Sequence, residues 1–173
     1  MVILTGGIDL SIPSTMSFAA IALTSLSLGY DNNLIWVIPV VLSGGLGIGL
    51  LNGLGIAFLG ISPVIMTMAM NAIIRGIVLV TIHGTPKGYT PPAISYLMSG
   101  HLLGYIPPIL IFVIFLYIMV TLLLKRTPYG HQIYAVGSDF NVAHLSGINV
   151  KGIIISVYAV SYTHLTLPTI CSV

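Results

Sequence analysis

Charge is what this sequence has least of. Its 173 residues contain no glutamate, three aspartates (Asp9, Asp31, Asp139) and five bases (Arg75, Lys87, Lys125, Arg126, Lys151), so charged residues make up 5% of the chain against 57% hydrophobic. A soluble domain carries about 25% charge. Eight charges cannot keep the surface of such a globule solvated, so the solvent for most of the chain is lipid. Soluble enzymes and disordered segments are excluded. A net charge of +2, scattered along the chain, also gives no footing for a nucleic-acid partner. With Cys171 as the single cysteine there is neither an internal disulfide nor a cysteine-based zinc site.

Several catalytic signatures are missing too. No lysine follows a glycine, which removes a phosphate-cradling GxxxxGK[ST] loop. Without glutamate there is no HExxH site and no Glu general base. The stretch SGGLGIGLLNG never completes GxGxxG, GISPV lacks the second glycine of a nucleophile elbow, and the five histidines show no ligand spacing. The sequence thus gives no seat for a catalytic centre, a metal or a cofactor.

The long uncharged runs are present instead. Residues 32–74 form a gap of 43, and residues 88–124 one of 37, where a spanning helix needs about 20 apolar residues. The expected fold is an all-α, polytopic transmembrane bundle of about four full spans plus a truncated fifth. The spans run from about Pro13 to Leu28, Leu34 to Leu59, Pro63 to Ile82 and Ile106 to Leu124, with a fifth beginning near Gly152. Pro, Gly, Ser, Thr and Asn inside the first three mark bundle helices, because such residues need neighbours to satisfy the backbone. Lys125, Arg126 and Lys151 make the segment 125–151 the basic loop, hence cytoplasmic, and put Asp31–Asn33 and the stretch from His83 to Tyr105 outside.

Gly45, Gly49 and Gly53 recur every four residues on one face of the second span, the small-residue ridge that lets bilayer helices approach closely. That ridge serves either contact within the bundle or a sliding or subunit interface. Asp9, in GGIDLS, reads as a helix N-cap ahead of Pro13 or as a pathway residue; Arg75, inside the third span, as a snorkelling or pairing group or as a pathway residue. Asn52 and Asn71 join them as pathway or bundle-interior candidates, and a direct Asp9–Arg75 pair is one expectation. In the loop KRTPYGHQIYAVGSDFNVAHLSGINVK, Ser138 or Asp139 can cap a short helix, Phe140 to Ser146, closed by Gly147. Phe140, Val142, Ala143 and Leu145 make that helix too apolar for free exposure. Membrane surface, bundle and cytoplasmic partner are equally open as its docking surface.

Three ordered motifs, GGIDLS (6–11), LLNGLGIAFLGISPVIMTMAMNAIIRGI (50–77) and TPYGHQIYAVGSDFNVAHLSGINV (127–150), resemble the membrane (permease) subunit of sugar-type ABC importers. This ribose/galactose/xylose permease family also holds autoinducer-2 permeases and is related to branched-chain amino-acid permeases. The likeness covers about Thr5 to Ser161, the expected permease domain (1–161), and corresponds to the central part of a chain about twice as long. After Ser161, YTHLTLPTICSV resembles translated sequencing-adapter DNA. Residues 162–173 are therefore expected to be a non-native tail, in which His164 and Cys171 carry no function.

The resemblance implies a coupling helix in the cytoplasmic loop 125–151 that seats on the ATPase. It maps onto Tyr129, Gly130, Tyr134, Ala135, Gly137, Ser138, Asp139, Phe140, Ala143, Leu145, Ser146, Gly147 and Ile148. Departures from the family pattern are His131 and His144 for Arg, Ser138–Asp139 for Gly-Asn, and Ile12–Pro13 for Val-Gly. The implied partners are separate ABC ATPase subunits that bind ATP and Mg, a periplasmic or lipid-anchored solute-binding protein, a second permease subunit (the same chain or a paralogue) and the lipid bilayer of the bacterial inner membrane. The chain itself would be no enzyme. The implied function is import of a small polar solute, a monosaccharide foremost, with autoinducer-2 or a branched-chain amino acid as the alternatives. From other classes, a secondary transporter or channel and a non-transporting scaffold remain; the scarcity of membrane carboxylates speaks against ion coupling.

Overall fold

The computed structural model describes residues 2–82, 91–99 and 108–170. Much of the expected outside stretch, with Lys87, and the last residues of the expected tail, with Cys171, lie outside the described residues, as does the side chain of His164.

After a 3-10 turn, Val2–Thr5, the chain runs unwound through Gly6–Leu10 into α1 (Ile12–Ser27). Pro13 sits in the first turn of α1, where its missing N–H costs nothing. The helix stops where Leu28 and Gly29 take left-handed angles (φ 52° and 79°), and Asn33 Nδ2 donates to the freed Ser27 carbonyl (3.1 Å). A 3-10 turn, Asp31–Asn33, leads into α2 (Leu34–Leu59). Gly60, left-handed at φ 64°, reverses the chain into α3 (Pro63–Ile82). The bounds of α2 and α3 are those expected from the charge gaps and the Gly60–Ser62 break.

Downstream lie α4 (Pro92–Ser99), α5 (Pro108–Arg126), α6 (Pro128–Ser138), α7 (Phe140–Leu145) and α8 (Val150–Ile170). Among the described residues three helical stretches are long and apolar enough to cross a membrane: 31–59, 63–82 and 109–126. At 16 residues, α1 extends only about 24 Å, short of the roughly 30 Å of hydrocarbon, and the unwound Gly6–Leu10 precedes it. Two helices went unforeseen, α4 in the outside stretch and α6 in the basic loop.

Packing is organised on two buried clusters. At one end Ala19 and Leu23 of α1 meet Val37 and Val41 of α2 and Ile94 of α4. At the other, Val2, Ile133, Val136, Ala143, Ile153 and Val157 join the first turn, α6, α7 and α8. Between them α2 lies along α8 at close range: a Cβ on Gly49 would stand 2.8 Å from the Tyr158 carbonyl oxygen, and one on Gly53 2.8 Å from Ile155 Cα. A Cβ on Gly45 would stand 2.7 Å from Thr166 Cγ2. By contrast, α5 is bare along its length: none of its span is buried, and it touches the rest chiefly through α4 and α6.

Candidate functional site

The unwound segment Gly6–Leu10 needs partners for its backbone, and the surrounding helices supply them. Thr67 Oγ1 on α3 accepts from Leu10 N (3.2 Å) and donates to its own helix at the Pro63 carbonyl (2.8 Å). Asp9 Oδ1 accepts from Ser11 N (3.0 Å) and Ser11 Oγ (2.8 Å), so Asp9 caps the chain entering α1 from two residues before its cap position. Ser11 itself, at the cap position, makes no side-chain cap bond. Instead it receives Asn52 Nδ2 from α2 at 3.2 Å. Tyr162 of α8 closes the cluster. Its hydroxyl donates to Asp9 Oδ1 (2.9 Å), accepts from Asn52 Nδ2 (2.7 Å) and contacts Ser11 Oγ. Asn52, Ser11 and Thr67 are fully buried.

Among the described residues, four buried side-chain polar atoms have no partner: Asp9 Oδ2, Asn52 Oδ1, Asn71 Oδ1 and the Tyr158 hydroxyl. Tyr158 lines a cleft of about 310 Å³ with Thr5, Gly6, Gly60, Ile61 and Phe140, which opens beside α7. Orphaned acceptors and hydroxyls of this kind mark places for water or a polar ligand.

The expected Asp9–Arg75 pair is not formed. Asp9 is engaged by Ser11 and Tyr162, whereas Arg75 lies exposed on α3 with no ion pair among the described residues. The reason is helical phase: the inward face of α3 is Thr67, Met70 and Ile74, and Arg75 follows Ile74 by about 100°, on the flank. Asn52 is interior, and Asn71 is half-buried one turn from Arg75. Ser11, Thr67 and Tyr162 belong to the cluster and were missed, Tyr162 falling in the stretch expected to be a non-native tail. A polar residue flanked by apolar neighbours was the only signal of Ser11 and Thr67, and the bonded partners lie 41 to 153 residues apart.

In the basic loop, Thr127 caps α6, its side chain accepting from Gly130 N (3.2 Å), with Pro128 in the first turn. The Thr-Pro pair was the unread signal for this helix. Gly130 and Gly137 are close approaches: a Cβ on either would overlap a backbone carbonyl, that of Leu124 or of Leu4. Tyr129 bonds Ser156 Oγ (2.8 Å), Ala135 is half-buried and Tyr134 is exposed. Of the two candidate caps for α7, Asp139 holds the position. Its Oδ1 accepts from Asn141 N (2.7 Å) and Val142 N (3.2 Å), while Ser138 bonds back to the Tyr134 carbonyl. At the far end, Gly147 (φ 78°) donates to His144 O (3.0 Å) and Ile148 N to Ala143 O (3.1 Å), a Schellman closure. Ser146 is the C-cap.

The orientation of α7 follows. Ala143 is buried against the bundle, while Phe140, Val142 and Leu145 are 50%, 60% and 85% exposed. A six-residue helix pinned at both ends thus turns large apolar side chains outward.

A helical bundle with three helices long and apolar enough to span, and an unwound stretch ahead of its first helix, defines a multi-pass membrane protein. The chain belongs to the family described as branched-chain amino acid transport system / permease component, whose profile matches residues 1–162. Its relatives include sugar permeases. It is 36% identical over 167 residues to the fructose import permease protein FruF of Bifidobacterium longum, covering 93% of this chain and 46% of that protein. It is 32% identical to the galactofuranose transporter permease protein YtfT of Escherichia coli (93% and 47%), and 36% identical to the ribose import permease protein RbsC of Haemophilus influenzae (92% and 50%). No solved structure matches. The chain spans about half the length of the curated relatives it matches. The sugar-type resemblance therefore stands, and with it a multi-pass place in the bacterial inner membrane.

Proposed function

We propose that the chain is part of the transmembrane subunit of an ATP-driven importer that carries a small polar solute, a monosaccharide by class, into the cell. The subunit hydrolyses nothing itself. ATP and Mg are handled by separate ATPase subunits, a solute-binding protein delivers cargo on the opposite side, and a second permease subunit completes the pathway. The observation that carries this reading is α7: a capped helix, anchored through Ala143, that presents Phe140, Val142 and Leu145 to a partner. Coupling between two sites requires an element that both partners bias, and a rigid helix held by Asp139 and Gly147 transmits a push.

The test is uptake by membrane vesicles containing the complete transporter. Gly147 sits at φ 78°, where a side chain is strained; Gly147→Val should disturb the closure of α7 and uncouple ATP hydrolysis from uptake. Unimpaired uptake by that variant contradicts the reading. Ion-gradient-driven uptake without any ATPase would replace it with a secondary transporter.

A further inference from the structure

Arg75 stands where a membrane helix should carry an apolar side chain. It is the thirteenth of the 20 residues of α3, roughly 12 Å along the helix from Thr67 and about 10 Å short of the end at Ile82. It is exposed, and no residue among those described pairs with it. Arginine in mid-membrane costs about 2.5–3.5 kcal/mol even on the most lenient scale. Snorkelling is disfavoured here, because Cα–Cβ bonds tilt toward a helix N-terminus, which in α3 points away from the nearer membrane face at Ile82.

The residues around Arg75 share its character. Asn71, one turn earlier, has a buried Oδ1 with no hydrogen-bond partner, and Thr67, a turn before that, bonds the unwound segment at Leu10 N. Spacing of four residues puts the three along one side of the helix. Their burial falls from Thr67 through Asn71 to Arg75, as along a wall that leaves the bundle. The other flank is different: Ile73 and Ile77 line an apolar crevice against α2, and Val80 is exposed at 73%. A second copy of this sequence offers Arg75 no carboxylate at that depth. Asp9 is in the unwound segment, Asp31 in the turn after α1, and Asp139 caps α7.

We propose that the Asn71–Arg75 flank of α3 faces water rather than lipid and lines the solute's route. The five N–H donors of the Arg75 guanidinium are the hydrogen-bonding groups for a neutral, hydroxyl-bearing solute, with the unpartnered Asn71 carbonyl at the buried margin of the flank. The proposal rests on the transport reading above for its cargo, but not for its geometry.

Single cysteines in an otherwise cysteine-free full permease test it in membrane vesicles with a charged, membrane-impermeant thiol reagent. Only a thiolate in water reacts, so Cys at positions 71 and 75 should be modified at least about tenfold faster than at 73 and 80. Equal rates at the four positions, or protection at 75, overturn the proposal, since both results mean lipid or another protein segment covers that flank. Uptake supplies the second measurement. Arg75→Leu suits a lipid-facing site better than arginine does, so normal membrane abundance with uptake lowered about tenfold, and part-restored by Arg75→Lys, is the expected outcome; tenfold corresponds to about 1.4 kcal/mol of lost hydrogen bonding. Unchanged uptake in Arg75→Leu overturns the hydrogen-bonding role. Labelling reads out whether or not the protein transports, so absence of wild-type uptake would fail the transport reading alone.

Discussion

Asn52 Nδ2 on α2 donates to Ser11 Oγ, 3.2 Å away at the start of α1. That bond fastens the unwound Gly6–Leu10 segment to the longest helix of the bundle, and Ser11 passes the connection to Asp9 Oδ1 at 2.8 Å. The result is a short α1 whose inner end is held by side chains instead of by its own backbone.

The coupling between these two residues is measurable. Side-chain hydrogen bonds between membrane helices are worth about 0.6 kcal/mol on average and about 1.7 at most. A double-mutant cycle of Ser11→Ala and Asn52→Ala, followed by thermal unfolding of the full permease in detergent, should give an interaction energy within that range. Strict additivity would mean that the bond contributes nothing to stability.

The glycines of α2 differ sharply in what they tolerate. Gly49 and Gly53 face α8 backbone at 2.8 Å, whereas Gly47 has nothing within 4 Å of a would-be Cβ. Gly49→Ala and Gly53→Ala should each destabilise the bundle by about 1–3 kcal/mol through overpacking. Gly47→Ala should be neutral or mildly stabilising, as removal of a helical glycine commonly is. The same unfolding assay checks all three, and a Gly47→Ala loss equal to the others would contradict the packing described.

These contrasts also show how much could be read from the sequence. The limits of α2 and α3 were legible because an uncharged run has ends that Asn33, Gly60 and Pro63 mark locally. Asp139 and Gly147 were legible for the same reason, since caps are local signals. What could not be read is whatever depends on residues far apart in the chain. Asn52 stood out as polar in an apolar run, but its partner Ser11 lies 41 residues away. Arg75 was open between bundle interior and pathway because helical phase, not composition, turns it away from Asp9. The helix α6 was not legible as a helix, because Thr127–Pro128 marks only its start and no uncharged run sets its bounds.

The Asp139 cap predicts a graded response. Removing an N-cap costs about 1 kcal/mol, and a helix of six residues has little else to hold it. Asp139→Ala should lower hydrogen-exchange protection at Ala143 N and Ser146 N, which donate to the Asp139 and Val142 carbonyls, and lower solute-stimulated ATP hydrolysis by the assembled transporter. Asp139→Asn keeps an acceptor oxygen at the cap and should retain most of both. Equal loss in the two variants would point to the charge rather than the cap.

The central claim is that α7 docks on an ATPase. Leu145 is 85% exposed and contributes nothing to either buried cluster, so Leu145→Glu should leave folding within about 0.5 kcal/mol of the parent. The direct measurement is the amount of ATP-binding-cassette ATPase subunit retained on the purified full permease, parent against Leu145→Glu. The account predicts stoichiometric retention by the parent and loss of most of it in the variant, with permease yield and unfolding temperature unchanged. Equal retention by both, or no retention by the parent, would contradict it.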